Sequence, residues 1–256
     1  IYLTYRMPAR FRYRTFEVRK RSGGRRAIMA PCDSLKILQQ KLLYVLSAFV
    51  QPRSVVHGYV EGRGIVTNAS CHVRRRNVLN IDISDFFPTI NFGRVRGALM
   101  AWPMSLQPAV ATVIAQLCCA ANQLPQGAPT SPFLSNLVCR KMDKELQALA
   151  IKHKCTYTRY ADDMTFSTMR RTFPDELAVR LEAADGIVTR VGPELEAAIR
   201  GNGFLVNHKK SRLQPAIGRQ EVTGLTVNVR PNVRRRLARQ VRAMLHAWET
   251  YGLKRA

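Results

Sequence analysis

Two aspartates, Asp162 and Asp163, stand side by side in CTYTRYADDMTFST, residues 155–168, and a third, Asp82, interrupts the apolar run VLNIDISDFF. Strands disfavour Asp, and adjacent carboxylates repel each other. Taken alone the pair is ordinary turn chemistry, since Asp favours turns. The chain, however, has 17 acidic residues against 41 Lys and Arg, so acids set into apolar strands call for a further reason. A metal site would supply that reason. Mg2+ takes oxygen ligands, keeps several waters, and is held by a few carboxylates together with substrate phosphates. Two such ions a few ångströms apart activate an attacking hydroxyl and stabilise a leaving pyrophosphate. Phosphoryl transfer needs little beyond this positioning and charge stabilisation.

The overall charge names a class of partner. A formal charge of +24 and a pI near 10.8 strain a compact chain by self-repulsion, so a polyanion is expected. Nucleic acid leads, because phosphate contacts from many Lys and Arg supply sequence-independent affinity. A membrane surface is the rival, but no apolar run approaches spanning length and no signal peptide opens the sequence. The cysteines at 32, 71, 118, 119, 139 and 155 form no C-x-x-C pair, which points to reduced thiols in a cytosolic protein. At 256 residues there is room for one large domain or two small ones, and Ile1 in place of Met reads as a trimmed start.

The elements that must position the acids follow from pattern. FEVRKRSGGRRAIMAP reads as two strands joined at Ser22-Gly23-Gly24. DSLKILQQKLLYVLSAFV has apolar residues at 35, 38, 42, 45, 46 and 49, a helical spacing with Asp33 or Ser34 as cap. VLNIDISDFF reads as a buried strand entering an irregular turn at Pro88, and 105–121 as an apolar helix. Ser131-Pro132 opens a helix to about residue 151. The run 155–168 reads as a hairpin with the acids at its tip, followed by two helical pieces between 174 and 200. Short strands at FLVN, SRLQP and EVTGLTVNV complete an α+β pattern. The tail places Val233, Leu237, Val241, Leu245 and Trp248 on one helical face, with Arg234, Arg235, Arg239 and Arg242 largely off it.

Several stretches, in order, carry a family resemblance. YADD at 160–163 resembles the catalytic signature of reverse transcriptases, and NIDISDFF at 80–87 their first palm motif. LPQGAPTSPFLSN at 124–136 is similar to the motif that positions template and nucleotide, RKRSGGRRAIMAP to the fingers hairpin, and GFLVNHKKS to a later palm motif. NASCH, residues 68–72, and VTG, residues 222–224, resemble elements that mark bacterial retron reverse transcriptases.

The resemblance implies an α+β right-hand polymerase fold. Its palm would be a ferredoxin-like antiparallel sheet with helices, joined to fingers and a partial helical thumb. Fingers would occupy 1–80, palm 81–104 and 132–229, a fingers–palm connection 105–131, and the start of a thumb 230–256. Asp82 and Asp162 would hold two Mg2+, with Mn2+ as an alternative, and Asp163 would act as ligand or as supporting acid. The carbonyl of Ile83 would be an extra ligand, and Asp85 a helix or turn cap. Lys20, Arg26 and Lys210 would face the nucleotide phosphates, where the forked donors of Arg26 suit a phosphate best. Gln126 would bond near the nucleotide and Gly127 would allow close backbone approach. Phe87 would lie under the incoming sugar and leave no space for a 2′-OH, favouring deoxynucleotides. Asn68, His72, Val222, Thr223, Gly224, Arg234, Arg235 and Arg239 would contact RNA or primer.

The activity so implied is RNA-directed DNA synthesis in a bacterial cytoplasm. A cognate structured RNA would be the template, a 2′-OH the primer, dNTPs the substrates, and DNA and an RNA–DNA hybrid the products. An effector protein would be a further partner, in anti-phage defence. Group II intron-like and diversity-generating reverse transcriptases are the nearest alternatives, and a non-catalytic nucleic-acid-binding module is a more distant one.

Overall fold

A computed structural model describes residues 6–19, 23–183 and 186–252. After a short helix, α1 (Ala9–Arg12), strands β1 (Tyr13–Arg19) and β2 (Arg25–Pro31) pair antiparallel from Tyr13↔Pro31 to Arg19↔Arg25. Gly23 and Gly24, at φ 85° and 77°, supply the left-handed turn that side chains resist. Lys20 and Ser22, expected in this hairpin, lie outside the described residues. The hairpin projects into solvent, leaving Phe16 and Val18 exposed.

Helix α2 (Asp33–Ser47) starts one residue earlier than its expected caps, with Cys32 at the N-cap and Asp33 in the first turn. It buries Leu35 and Leu46, while Val45 and Phe49 of the same apolar spacing stay exposed. Its buried Gln39 donates to Tyr13 Oη (2.9 Å) and to Leu117 O (2.7 Å), tying the helix to the hairpin base. Helix α3 (Ile65–Ser70) follows.

Strand β3 (Asn77–Ser84) is the centre of the molecule, with Val78, Leu79, Ile81 and Ile83 all at 2% exposure or less. Each such side chain stabilises the fold by about 1.5–3 kcal/mol. Helices α4 (Phe86–Thr89), α5 (Phe92–Met100), α6 (Pro108–Cys118) and α7 (Ser131–Lys152) come next. The span of α6 is shorter than the expected 105–121, because Pro108 opens it and Cys119 turns extended. Strands β4 (Thr156–Tyr160) and β5 (Asp163–Thr168) form the hairpin that carries the acidic pair.

One expectation fails between 174 and 200. The first of the two helical pieces is instead a hairpin, β6 (Ala178–Ala183) with β7 (Gly186–Val191), and only α8 (Pro193–Gly201) is helical. The β-branched Val179, Ile187, Val188, Thr189 and Val191 and the Asp185-Gly186 turn signal favour strands. Strands β8 (Leu205–Val206) and β9 (Arg212–Pro215) follow. EVTGLTVNV is likewise not one strand but a tight hairpin of β10 (Glu221–Val222) and β11 (Leu225–Thr226), turning at Thr223 and Gly224, both at positive φ. Helix α9 (Arg235–Tyr251) ends the described chain.

The main sheet runs β4-β5-β3-β8, with β9 pairing β3 beside β8, and every pair is antiparallel. Helices α5, α6 and α7 supply Val95, Leu99, Ile114, Leu134, Met142 and Leu146 to the core behind it. The cysteines are free, as the sequence reading expected, and burial pushes the thiols of Cys118 and Cys139 up to about 12.

Candidate active site

Register brings the acids together. In the β3–β5 ladder Asp82 stands directly opposite Asp163. Asp162 lies just beyond the ladder at the tip, its carbonyl accepting from Ile83 N at 3.2 Å. The tip closes because Ala161 adopts φ 57°, a left-handed conformation. Asp163 lines a cavity of about 220 Å³ with Asp82, Lys210, Arg212 and Glu221, whereas Asp162 does not. The two neighbours therefore serve different surroundings.

Asp82 is the most engaged of the three. Lys210 Nζ donates to both of its carboxylate oxygens at 3.0 Å, and Asn207 Nδ2 donates to Oδ2 at 3.1 Å. Asn207 N also donates to Asp82 O at 2.8 Å, so the start of the loop after β8 is pinned to β3. Burial and the charge of Asp82 raise the carboxyl of Asp162, and Lys210 and Arg26 oppose the rise. Crowding by the protein, then the charges of Asp162 and Asp82, push Asp163 up to about 7. Negative charge on this cluster is thus costly, and a cation would relieve it.

The donor set suits Mg2+. Among the described residues no three of His, Cys, Asp and Glu converge into a ready cage. A cation held by one or two carboxylates plus substrate phosphates needs no such cage. Asp82 and Asp162 are the carboxylates that could hold it, with Ile83 N donating to Asp162 O between their strands.

Beside the acids, a pocket of about 330 Å³ is lined by Arg26, Ile28, Tyr59, Phe87, Gln126 and Gly127, among others. Gln126 O accepts from Met29 N at 2.8 Å, joining the loop before α7 to the β1–β2 hairpin. Gly127 permits that approach: its φ is 124°, and a Cβ there would lie 3.0 Å from Ile28 Cγ2 and 3.2 Å from Met29 O. Phe87 is half-buried, edge-on to Phe86 at 5.2 Å, with its ring facing Tyr59 at 6.5 Å. Tyr59 was not foreseen. Its φ of 61° is unusual for an aromatic residue, and only the preceding Gly58 marks the spot in sequence. Asp85 takes the N-cap position of α4, but through its carbonyl, which accepts from Thr89 N and Thr89 Oγ1; its side chain caps nothing.

The residues expected to contact RNA divide into two groups. Asn68, His72 and Val222 are fully buried, so their side chains cannot meet a nucleic acid directly. His72 instead bonds Ser167 Oγ and Thr158 Oγ1, both at 2.7 Å, and burial lowers its pKa to about 3. It is a neutral cross-link between β4 and β5. Arg234 is held by Glu221 at 2.5 Å. Thr223 and Gly224 border the cavity beside Asp163, and Arg235 and Arg239 are exposed on α9. The apolar stripe of α9 is exposed as well, from Leu237 to Trp248.

The family described as reverse transcriptase (RNA-dependent DNA polymerase) matches residues 18–229. The chain belongs to the reverse transcriptase family. Within that family its relatives are of retron type. The retron Mx65 reverse transcriptase of Myxococcus xanthus is 39% identical over 252 residues, covering 91% of this chain and 55% of the relative. The retron Ec86 reverse transcriptase of Escherichia coli is 31% identical, covering 93% and 70%. The chain spans about half the length of the two Myxococcus xanthus relatives it matches, 55% and 52%. Among solved structures, apo telomerase from Candida tropicalis, truncated from its C-terminal domain, aligns with a TM-score of 0.54 at 12% identity, over 88% of this chain and 55% of that one. That likeness extends to the fold, the mixed helices and antiparallel sheet of the polymerase hand. No helix among the described residues is long and apolar enough to cross a membrane.

Proposed function

We propose that this reverse transcriptase family member is an RNA-directed DNA polymerase that extends a primer hydroxyl with dNTPs on an RNA template. The observation that supports this reading is the β3–β5 register, which pairs Asp82 with Asp163 and leaves Asp162 at the adjoining hairpin tip, within reach of the charges of Asp82 and of Arg26 from the neighbouring pocket. Asp82 and Asp162 would hold Mg2+, or Mn2+, which when bound supplies charge stabilisation to the attacking hydroxyl and the leaving pyrophosphate. Arg26 and Lys210 bind the triphosphate, Gln126 orients the nucleotide, and Phe87 excludes a 2′-OH from the sugar pocket. We read residues 1–80 as fingers, 81–104 and 132–229 as palm joined through 105–131, and 230–256 as the start of a thumb. Arg235 and Arg239 then lie along the template–product duplex.

Retron-type relatives support the finer reading: a cognate structured RNA as template, priming from an RNA 2′-OH, a branched RNA–DNA product, and a role with an effector protein in anti-phage defence in the bacterial cytoplasm. Primer extension on RNA with labelled dNTPs tests the core of it. Asp162→Asn is expected to lower incorporation by about 10³-fold or more. Unchanged incorporation overturns the polymerase reading. Absence of a 2′,5′ branch in nucleic acid purified with the protein overturns the priming reading alone.

A further inference from the structure

Asp143 on α7 and Arg159 on β4 are both fully buried, the only ion pair with two wholly buried partners among the described residues. Arg159 Nε donates to Asp143 Oδ1 at 2.7 Å and its Nη2 to Oδ2 at 2.8 Å, a bidentate grip. Tyr157 Oη adds a third donor to Oδ1 at 2.9 Å. Such a pair is weak evidence for stability, because apolar side chains of similar volume commonly do as well. What an apolar replacement would lack is the remaining bond. Arg159 Nη1 donates to the carbonyl of Ala161 at 3.0 Å. That carbonyl belongs to the peptide unit that leads into Asp162, at the left-handed residue where the hairpin tip turns.

A second support reaches the same turn. The segment 55–58 runs beside β4: Arg159 N donates to Val55 O at 2.8 Å and His57 N donates to Arg159 O at 2.9 Å. Gly58 then packs so closely that a Cβ on it would lie 2.5 Å from Ala161 N. Asn136 Nδ2 holds Gly58 O at 2.9 Å, and Asn136 lies on α7, as Asp143 does. One helix therefore supports the acidic turn twice, through Asp143 and Arg159 and through Asn136 and Gly58.

We propose that Arg159, clamped by Asp143, is a positioning residue that sets Asp162 against Asp82 for cation binding, an inference that rests on the polymerase reading. Because the pair is mutually neutral, it shapes the site without adding net charge to it. Two variants test the assignment. Arg159→Lys keeps the charge but cannot hold the carboxylate and the Ala161 carbonyl together. The triple variant Asp143→Leu/Tyr157→Phe/Arg159→Met restores an apolar interior without the carbonyl bond and leaves no buried hydroxyl without its acceptor.

Folding is read by thermal melting, dNTP incorporation on RNA by steady-state kinetics, and Mn2+ affinity of the protein alone by electron paramagnetic resonance. In whichever variants fold, kcat is expected to fall about 10–100-fold, Mn2+ affinity to weaken about tenfold, and KM for dNTP to stay within about twofold. A folded variant with wild-type kcat and Mn2+ affinity overturns the proposal. If neither variant folds, the pair serves stability alone and the proposal is overturned too. Failure of the wild type to incorporate dNTP would count against the polymerase reading, and the Mn2+ comparison would still decide this one.

Discussion

Lys210 Nζ sits 3.0 Å from both carboxylate oxygens of Asp82, which in turn stands opposite Asp163 across the β3–β5 ladder. The ammonium is more than half exposed, so by itself the pair contributes about 1 kcal/mol or less. Its larger effect is to offset repulsion among three acids. Lys210→Ala is expected to lower the melting temperature by about 2–4 °C without divalent cations, and millimolar Mg2+ should recover most of that loss. An equal loss with and without Mg2+ would show that Lys210 does not share the acids' field.

Phe87 lines the pocket of about 330 Å³ proposed to take the nucleotide, with its ring held against Phe86. Phe87→Ala opens space where a 2′-OH would fall. Competition between dNTP and rNTP during extension is expected to show discrimination falling by about 10–100-fold, with dNTP incorporation itself less affected. Undiminished discrimination would mean that the sugar is selected elsewhere.

His72 must charge when the chain unfolds in acid. Its folded pKa of about 3 lies below the ordinary 6.5, so the neutral folded form contributes stability above pH 6.5 that is lost progressively as pH falls toward 3. Between pH 7 and pH 5 the loss from this group is about 2 kcal/mol. Urea denaturation at both pH values, compared with His72→Asn, checks it. The variant should be the less pH-sensitive protein, and equal sensitivity would remove His72 as the cause.

Two glycines should respond to alanine in opposite ways. Gly58→Ala drives a Cβ into the Ala161 backbone and is expected to cost about 1–3 kcal/mol. Gly97, in α5, has nothing within 4 Å of a built Cβ, so Gly97→Ala should stabilise by about 0.5–1 kcal/mol. Chemical denaturation of both reads the contrast directly. Similar effects at the two sites would mean that the close approach at Gly58 relaxes at little cost.

The candidate site residues were legible because the chemistry proposed for them needs particular side chains at short, ordered spacings. Asp82, Asp162, Phe87 and Gln126 could be named from local stretches. The β4–β5 hairpin, β3, α7 and α9 were readable from period and turn signals for the same reason. Residues 178–191 were misread because a few apolar residues satisfy helical and strand spacing equally well; the β-branched residues tip the balance to strands, and Leu213 N donating to Thr189 Oγ1 docks that hairpin against β9.

Sequence alone determined the family and the candidate acids and pointed to a polyanionic partner, since charge and motif are properties of the chain itself. Only the tertiary structure decided which neighbour each acid faces, that His72 and Asn68 are interior, and that Arg159, Asp143 and Gly58 converge on one turn. Those facts depend on register and on contacts between residues far apart in sequence, and neither leaves a local pattern to read.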